Sequence, residues 1–453
     1  MESKMDFKKR NVITEQQRSM SSWDMFATWI GANANNGTWY IGGVIAACGF
    51  LTSSTLLIIV GCLSYVLLAL TSLMGYETGL NTMSLTRGSF GIKGSILPSI
   101  INVIQFIGWA AVNTYIAAIS VSYILRDIFG WNANNQAMDR VGIFAGIIIM
   151  SILHLLSISL GEKSVRWIER VGIVLVTIFV IWESIIVLRT VPLSEIIAWR
   201  PSSEFSLSSG SAIDILAAFN LAWVTAAADF SRFAKTKKSA TWYSFLGANI
   251  GLIWFALMGL IATIATAITI DKFDPNNSDP STIATKLGLG ALALIVIMLT
   301  STTANAVNLM AAGSAITNIF SRIKLKTALF IVTIAATFVT FIPAYVATFL
   351  ETFQLFLDGI GMFLGPEIAI FLTDYFILRH RKYNIEEFDN TTGKYWYYHG
   401  INLLAFGSWI IGVVVYFVLR QVGWFTNNIG VTFVAIIITG IIYYILSKIK
   451  EAH

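Results

Sequence analysis

The residues best equipped for chemistry in this chain are amides, hydroxyls and aromatic rings set inside long apolar runs. The stretch Gly31-Ala32-Asn33-Ala34-Asn35-Asn36-Gly37-Thr38 places three Asn and two Gly where a continuous lipid-facing helix would be costly. It predicts an unwound segment whose freed carbonyl oxygens can ligate a hard cation such as a coupling sodium ion. A tight helix crossing built from Asn and Gly is the competing explanation.

Gln105, Trp109 and Asn113 fall at i, i+4 and i+8, one face of a helix with an indole between two carboxamides. Such a stripe suits a flat, neutral heterocycle, because the indole stacks while the amides donate to and accept from a polar ring edge. Interhelical hydrogen bonding would use the same residues. Phe219 and Asn220, with Trp223 nearly one turn on, repeat the pairing of ring and amide, but no Gly or Pro between them and Asp229 marks a break. Ser301-Thr302-Thr303-Ala304-Asn305-Ala306-Val307-Asn308 concentrates hydroxyls and amides in an apolar span, a set of hard oxygen ligands that suits a sodium ion. Hydroxyls bonded back to their own helix are the alternative.

Ionisable groups inside apolar runs are His154, Glu183, Asp358 and Glu367, candidates because charge in lipid is expensive. Asp229 beside Arg232 reads as a gate or structural ion pair. No catalytic pair, Gly-rich phosphate loop or clustered metal ligands appear, which speaks against an enzyme or an ATP-driven pump. Cys48 and Cys62 sit in apolar helices as small hydrophobes rather than as a disulfide framework.

These residues need a membrane-embedded scaffold. Of 453 residues 56% are hydrophobic and 12% charged, about half the charged share of a soluble domain. Apolar runs near 24–51, 54–76, 96–126, 140–160, 166–190, 209–230, 244–270, 288–318, 326–342, 344–378, 401–420 and 427–447 predict twelve transmembrane helices, an all-α polytopic membrane protein. The basic tail 1–23 lacks a signal-peptide pattern. With that tail in the cytoplasm, 23 of the 30 Lys and Arg residues fall inside, including Lys163, Arg166 and Arg170. Both termini, the second at 448–453, are then cytoplasmic, and the basic loops are orientation signals rather than nucleic-acid patches. No polar stretch is long enough for a soluble domain, and no obligate protein partner is evident. Segments 24–190 and 209–378 are expected to form two inverted halves of five helices, with 401–447 adding two more.

Three stretches resemble the nucleobase:cation symporter family, in its bacterial cytosine and purine permease branch. They are Arg87-Gly88-Ser89-Phe90-Gly91-Ile92-Lys93-Gly94-Ser95-Ile96-Leu97-Pro98-Ser99 with Gly108-Trp109, then Ala228-Asp229-Phe230-Ser231-Arg232-Phe233, and Thr373-Asp374-Tyr375 with 379–382. The resemblance implies a five-plus-five inverted-repeat (LeuT-like) fold with two extra helices, and inward transport of a neutral nucleobase or related ring, usually with sodium, without a cofactor. It puts the ion on the carbonyls of Gly31 and Ala34 and the hydroxyls of Thr302 and Thr303. It puts the ring on Asn35, Asn36, Trp109, Asn113, Phe219, Asn220 and Asn305 or Asn308. Cytosine permeases tend to carry aromatic residues where this chain has Ala34 and Asn35, which leaves a purine, a hydroxymethylpyrimidine, a hydantoin or allantoin as candidate cargo beside cytosine. Proton coupling and amino-acid transport are the alternatives of the same fold.

Overall fold

Every membrane helix here owes its existence to the same constraint: backbone amides and carbonyls in hydrocarbon must be satisfied within the segment. The computed structural model describes residues 12–132, 134–159, 162–320, 322–345 and 348–452. The tail residues Lys4, Lys8, Lys9 and Arg10 and the C-terminal His453 lie outside the described residues, as do the side chains of Lys163, Arg166 and Arg170.

The first segment is broken. α1 (Ser22–Asn33) begins with a capping box in which Ser21 and Asp24 exchange hydrogen bonds, and α2 (Asn36–Ile45) begins afresh after Asn35. α3 (Phe50–Thr78), the short α4 (Thr82–Phe90), α5 (Ile96–Phe129), α6 (Gln136–Ser159) and α7 (Glu162–Thr190) follow. A second broken segment, α8 (Ser209–Val224) and α9 (Ala227–Ser231), leads to α10 (Ser244–Thr269). After the short, mostly buried helix α11 (Pro280–Lys286) come α12 (Gly290–Ile319), α13 (Leu325–Thr340), α14 (Phe349–Leu372), α15 (Leu403–Arg420) and α16 (Thr432–Ala452). Among the described residues 10 helices are long and apolar enough to cross a membrane. The broken α1–α2 and the 29-residue α7 stand outside that number and accord with the twelve segments expected.

Two packed groups build the bundle. α1, α2, α3 and α8 gather around α10 and one another, while α5, α6, α12 and α13 form the second group. Close approach of α2 to α10 depends on glycine: a Cβ on Gly42 would lie 1.8 Å from the Ala256 carbonyl oxygen, and one on Gly259 1.9 Å from that of Trp39. Without a hydrophobic drive between helices in lipid, such backbone-to-backbone contact is what holds them.

The second interrupted segment has no Gly or Pro at its break, and Ala226-Ala227-Ala228 gives no local sign of one. The Thr225 hydroxyl instead reaches Asn102 (2.8 Å), and Thr82 of α4 takes the Ala228 amide at 3.1 Å, capping α9 from outside. The partners that open this helix sit more than a hundred residues away, where no local pattern reveals them.

Two further links clamp the ends. Asp214 of α8 accepts from the amides of Val431 (2.8 Å) and Thr432 (2.8 Å) and from the Thr432 hydroxyl (2.7 Å), so one helix supplies the N-terminal cap of α16. Outside the membrane-spanning segments Arg87 of α4 bonds Asp389 at 2.8 Å; burial pulls its guanidinium down to about 10 while the carboxylate opposes that shift. Replacing Asp214 by Ala leaves the first amides of α16 without partners and is expected to cost about 2 kcal/mol. Thermal unfolding of the purified protein in detergent should show D214A melting several degrees below wild type and Asp214→Asn between them; an unchanged midpoint would refute the capping role.

Candidate functional site

Between the two helix groups lies a cavity of about 770 Å³. Its floor is the break of the first helix, with Gly31, Ala32, Ala34 and Asn35. α5 contributes Phe106, Trp109 and Asn113, α8 contributes Phe219, Ala222 and Trp223, and α12 contributes Thr303, Ala304, Val307 and Asn308. Ser19, Met20, Trp23, Phe230 and Phe233 surround the mouth, which opens at the end where the N-terminal segment enters the bundle.

The opposite end is shut by rings. Tyr40 of α2 stacks on Phe349 of α14 at 5.1 Å, and Phe349 stacks on Tyr115 of α5 at 4.6 Å. α11 lies beyond, with Ser281 bonded to Ser120 (2.7 Å) and Thr282 to Tyr123 (2.9 Å). Trp109 stands between this plug and the cavity, edge-on to Phe219 at 5.1 Å and to Phe356 at 5.1 Å.

The break itself is held by Asn35. Its Nδ2 donates to the Ala32 carbonyl (2.7 Å) and its Oδ1 accepts from the Thr38 amide (3.0 Å), so a single carboxamide serves the loose end of α1 and caps α2. Asn33 donates to the Trp29 carbonyl and accepts from the Tyr65 hydroxyl at 2.8 Å; the same hydroxyl lies 3.0 Å from Asn220 Oδ1. Tyr65, which no motif singles out, thereby joins the two broken segments.

The expected ring-reading residues divide into two sets. Asn35, Trp109, Asn113, Phe219 and Asn308 line the cavity. Gln105 does not: its amide is committed to Asn102 (2.6 Å) and Thr225 (2.7 Å), linking α5 to the second break. Asn36 reaches across to the Ile297 carbonyl (2.9 Å), Asn220 bonds Ser64 (3.3 Å) and Tyr65, and Asn305 bonds Ala110 (3.0 Å) and Thr114 (2.9 Å). These four are interhelical ties, because a buried carboxamide at a helix contact finds its partners in the neighbouring backbone before any ligand can.

Of the expected ion ligands, Gly31, Ala34 and Thr303 border the same cavity. Ala34 adopts φ −80, ψ 63, outside helical geometry, and among the described residues no backbone amide reaches its carbonyl oxygen. Thr303 donates to the Thr300 carbonyl at 2.8 Å and Thr302 to the Met298 carbonyl at 3.0 Å, which leaves hydroxyl lone pairs for a cation; Thr302 is not among the lining residues. Hard oxygen donors of this kind suit sodium.

The direct ion pair expected of Asp229 and Arg232 is not formed. Arg232 Nε donates to the backbone carbonyl of Asp229 (3.2 Å), and the Asp229 carboxylate takes the Thr82 hydroxyl (3.0 Å), so each group is engaged with another partner. Of the other ionisable candidates, Asp358 pairs with Arg420, Glu183 accepts from the Trp39 indole at 3.2 Å, and neither oxygen of the fully buried Glu367 has a partner. Among the described residues lining the cavity, Asp24 is the one charged group, and it sits in the first turn of α1, about 10 Å before Gly31 along the axis. No group of three His, Cys, Asp or Glu able to hold a metal occurs among the described residues.

Comparison with known proteins agrees with this architecture. The chain is 25% identical to a putative purine-cytosine permease of Bacillus subtilis, over 96% of this chain and 94% of that one. It is 22% identical to an allantoin permease of the same organism (96% and 92%) and 22% identical to a hydantoin permease of Microbacterium maritypicum (91% and 84%). In fold it matches the nucleobase-cation-symport-1 transporter Mhp1 in a closed conformation with bromovinylhydantoin bound, with a TM-score of 0.76 at 18% identity over 97% of this chain and 95% of that one. A sodium-coupled sialic acid symporter aligns at a TM-score of 0.59 and 15% identity over 97% and 92%. The family model for permeases of cytosine and purines, uracil, thiamine and allantoin matches residues 12–445, and the chain belongs to that family, as a multi-pass membrane transporter and not an enzyme.

Proposed function

We propose that the protein is a sodium-coupled symporter that imports a neutral nucleobase-like ring by alternating access. The observation that carries this reading is an aromatic-walled, amide-lined cavity, uncharged except at its mouth, set against a helix break with a free carbonyl. A zwitterion would meet no counter-charge there, and burying its charges unpaired would be costly. A flat neutral ring meets Trp109 and Phe219 for stacking and Asn113 and Asn308 for its edge.

Sodium held by the carbonyls of Gly31 and Ala34 and the Thr303 hydroxyl would tie the first helix to α12, so the ion preorganises the ring site it borders. Broken segments at the first position of 24–190 and of 209–378 support two inverted halves of five helices. The cavity mouth beside the N-terminal segment is then the cytoplasmic side of the plasma membrane, both termini are inside, and the conformation described is open to the cell interior. Among cargoes, the relatives' named substrates favour purines, allantoin and hydantoins as much as cytosine. Proton coupling is the second reading, favoured by Glu183, a buried carboxyl that joins α7 to α2 and keeps one oxygen unpartnered.

Uptake of radiolabelled cytosine, adenine, hypoxanthine, uracil, hydantoin and allantoin into proteoliposomes tests this directly. One ring should accumulate under an inward sodium gradient, and accumulation under a proton gradient alone would shift the coupling to protons. No accumulation of any ring by folded protein would overturn the proposal. Trp109→Ala should weaken apparent affinity for that ring by about tenfold or more. Thr303→Ala should remove the sodium stimulation while ring binding at saturating substrate persists; equal loss of both would argue that Thr303 acts on the ring instead.

A further inference from the structure

The stretches 87–99 and 373–382, which carry the family likeness, contribute nothing to the cavity lining, yet they meet around α4. α4 is a helix of 9 residues, about 13 Å long, and both of its ends are satisfied by distant parts of the chain. A helix leaves its last carbonyls without partners of its own. Here the Tyr397 hydroxyl donates to the Gly88 carbonyl (2.7 Å), Asn402 Nδ2 to that of Ser89 (2.7 Å) and the Asn402 amide to that of Phe90 (2.8 Å). The segment 379–402, which joins α14 to α15, thus caps α4 from more than three hundred residues away.

That segment is itself fixed. Asp374, at the end of the α14 segment, accepts from the hydroxyls of Tyr383 (2.6 Å) and of Tyr443 in α16 (2.9 Å). Glu77, at the end of α3, accepts from the Tyr375 hydroxyl (2.9 Å) and pairs with Arg381. Phe388 packs edge-on between Tyr383 (5.4 Å) and Tyr395 (4.8 Å), and the Tyr383 ring lies so close to Gly88 that a Cβ there would come within 2.3 Å of it. Of the five non-glycine residues with positive φ among the described residues, four lie here: His380, Arg381, Tyr397 and His399. Such backbone persists only where surrounding contacts impose it.

The other end of α4 reaches the second helix break. The Thr82 hydroxyl accepts from the Ala228 amide (3.1 Å) and donates to the Asp229 carboxylate (3.0 Å), and the Thr82 amide lies 3.4 Å from the same carboxylate. Asp229 therefore sits at the N-terminus of α4, where the helix dipole favours negative charge, while Thr82 supplies the cap that Ala226 cannot. A short hydrogen-bonded helix fastened at both ends transmits displacement between them.

We propose that α4 is a strut through which the segment 379–402 positions Thr82 and so holds the second helix break open. Thr82 is the positioning residue, and Tyr397 acts on the break through it without touching it. α8, which ends at that break, supplies Phe219, Ala222 and Trp223 to the cavity, so movement where α14 leads into 379–402 reaches the cavity wall by this route. The inference does not depend on which ring or ion is carried.

Hydrogen–deuterium exchange of the purified full chain, without ligand, tests it in peptides covering 31–38 and 225–234. Thr82→Val removes the acceptor of the Ala228 amide and should speed exchange in 225–234 by about fivefold or more. Tyr397→Phe removes only the remote hydroxyl, yet should speed exchange in the same peptide by about threefold or more and leave 31–38 unchanged. The double variant should be no faster than Thr82→Val, because both act through one contact. Should Tyr397→Phe not yield folded protein, Asn402→Ser, which withdraws the amide from Ser89 and can still cap α15, provides the same comparison. Unchanged exchange in 225–234 in the folded remote variant overturns the strut. Equal acceleration in both peptides, or additive effects in the double variant, does so too, since general softening or independent action would then account for the result.

Discussion

A break in a membrane helix leaves amides and carbonyls in a medium that cannot solvate them, and the satisfaction of those few groups governs the rest of this molecule. Asn35 resolves most of the problem with one side chain, donating to the end of α1 and accepting from the start of α2. The Ala34 carbonyl remains outside that repair, and Ala34 lines the space where an ion and a ring are proposed to meet. An unsatisfied oxygen at this depth is tolerated because it borders a cavity rather than lipid.

Polarity in the interior is otherwise carried by amides and hydroxyls in closed networks. Gln105 with Asn102 and Thr225 stabilises the second break, Tyr65 spans both breaks, and Asn305 links α5, α6 and α12. Neutral groups of this kind cost far less to bury than charges and still hold helices in register. They also keep the cavity's own field small, which suits the neutral ring proposed for it and leaves the proposed ion to oxygen dipoles rather than carboxylates.

Both breaks lie at the boundary between the two helix groups, and both are fastened by partners from elsewhere: Tyr65 and Thr82 hold what the local sequence leaves loose. The aromatic plug of Tyr40, Phe349 and Tyr115 spans the same boundary at the closed end. Stacked rings add modest energy beyond their burial, about 0.5–1.5 kcal/mol per pair. A seal of that strength does not make one conformation irreversible, which the alternating access proposed above requires.

From the amino-acid sequence by itself follow the membrane class, the order of the apolar segments, the interruption near Asn33 to Asn36, the Trp109–Asn113 face and the family likeness. The likeness rests on three particular stretches; the rest is written in local composition and periodicity, since apolar length reports bilayer thickness and a run of Asn and Gly reports a helix that cannot continue. Tertiary structure alone decided which amides face the cavity. Asn113 and Asn308 do, while Gln105, Asn36, Asn220 and Asn305 turn to neighbouring helices, because the choice depends on acceptors more than a hundred residues distant. The break after Val224 belongs to the same class, opened by Thr82 and Asn102 rather than by any residue of its own helix that propensity would flag, and so does the parting of Asp229 from Arg232. Spacing on a helix says which side chains share a face; what that face meets is settled only when the helices pack.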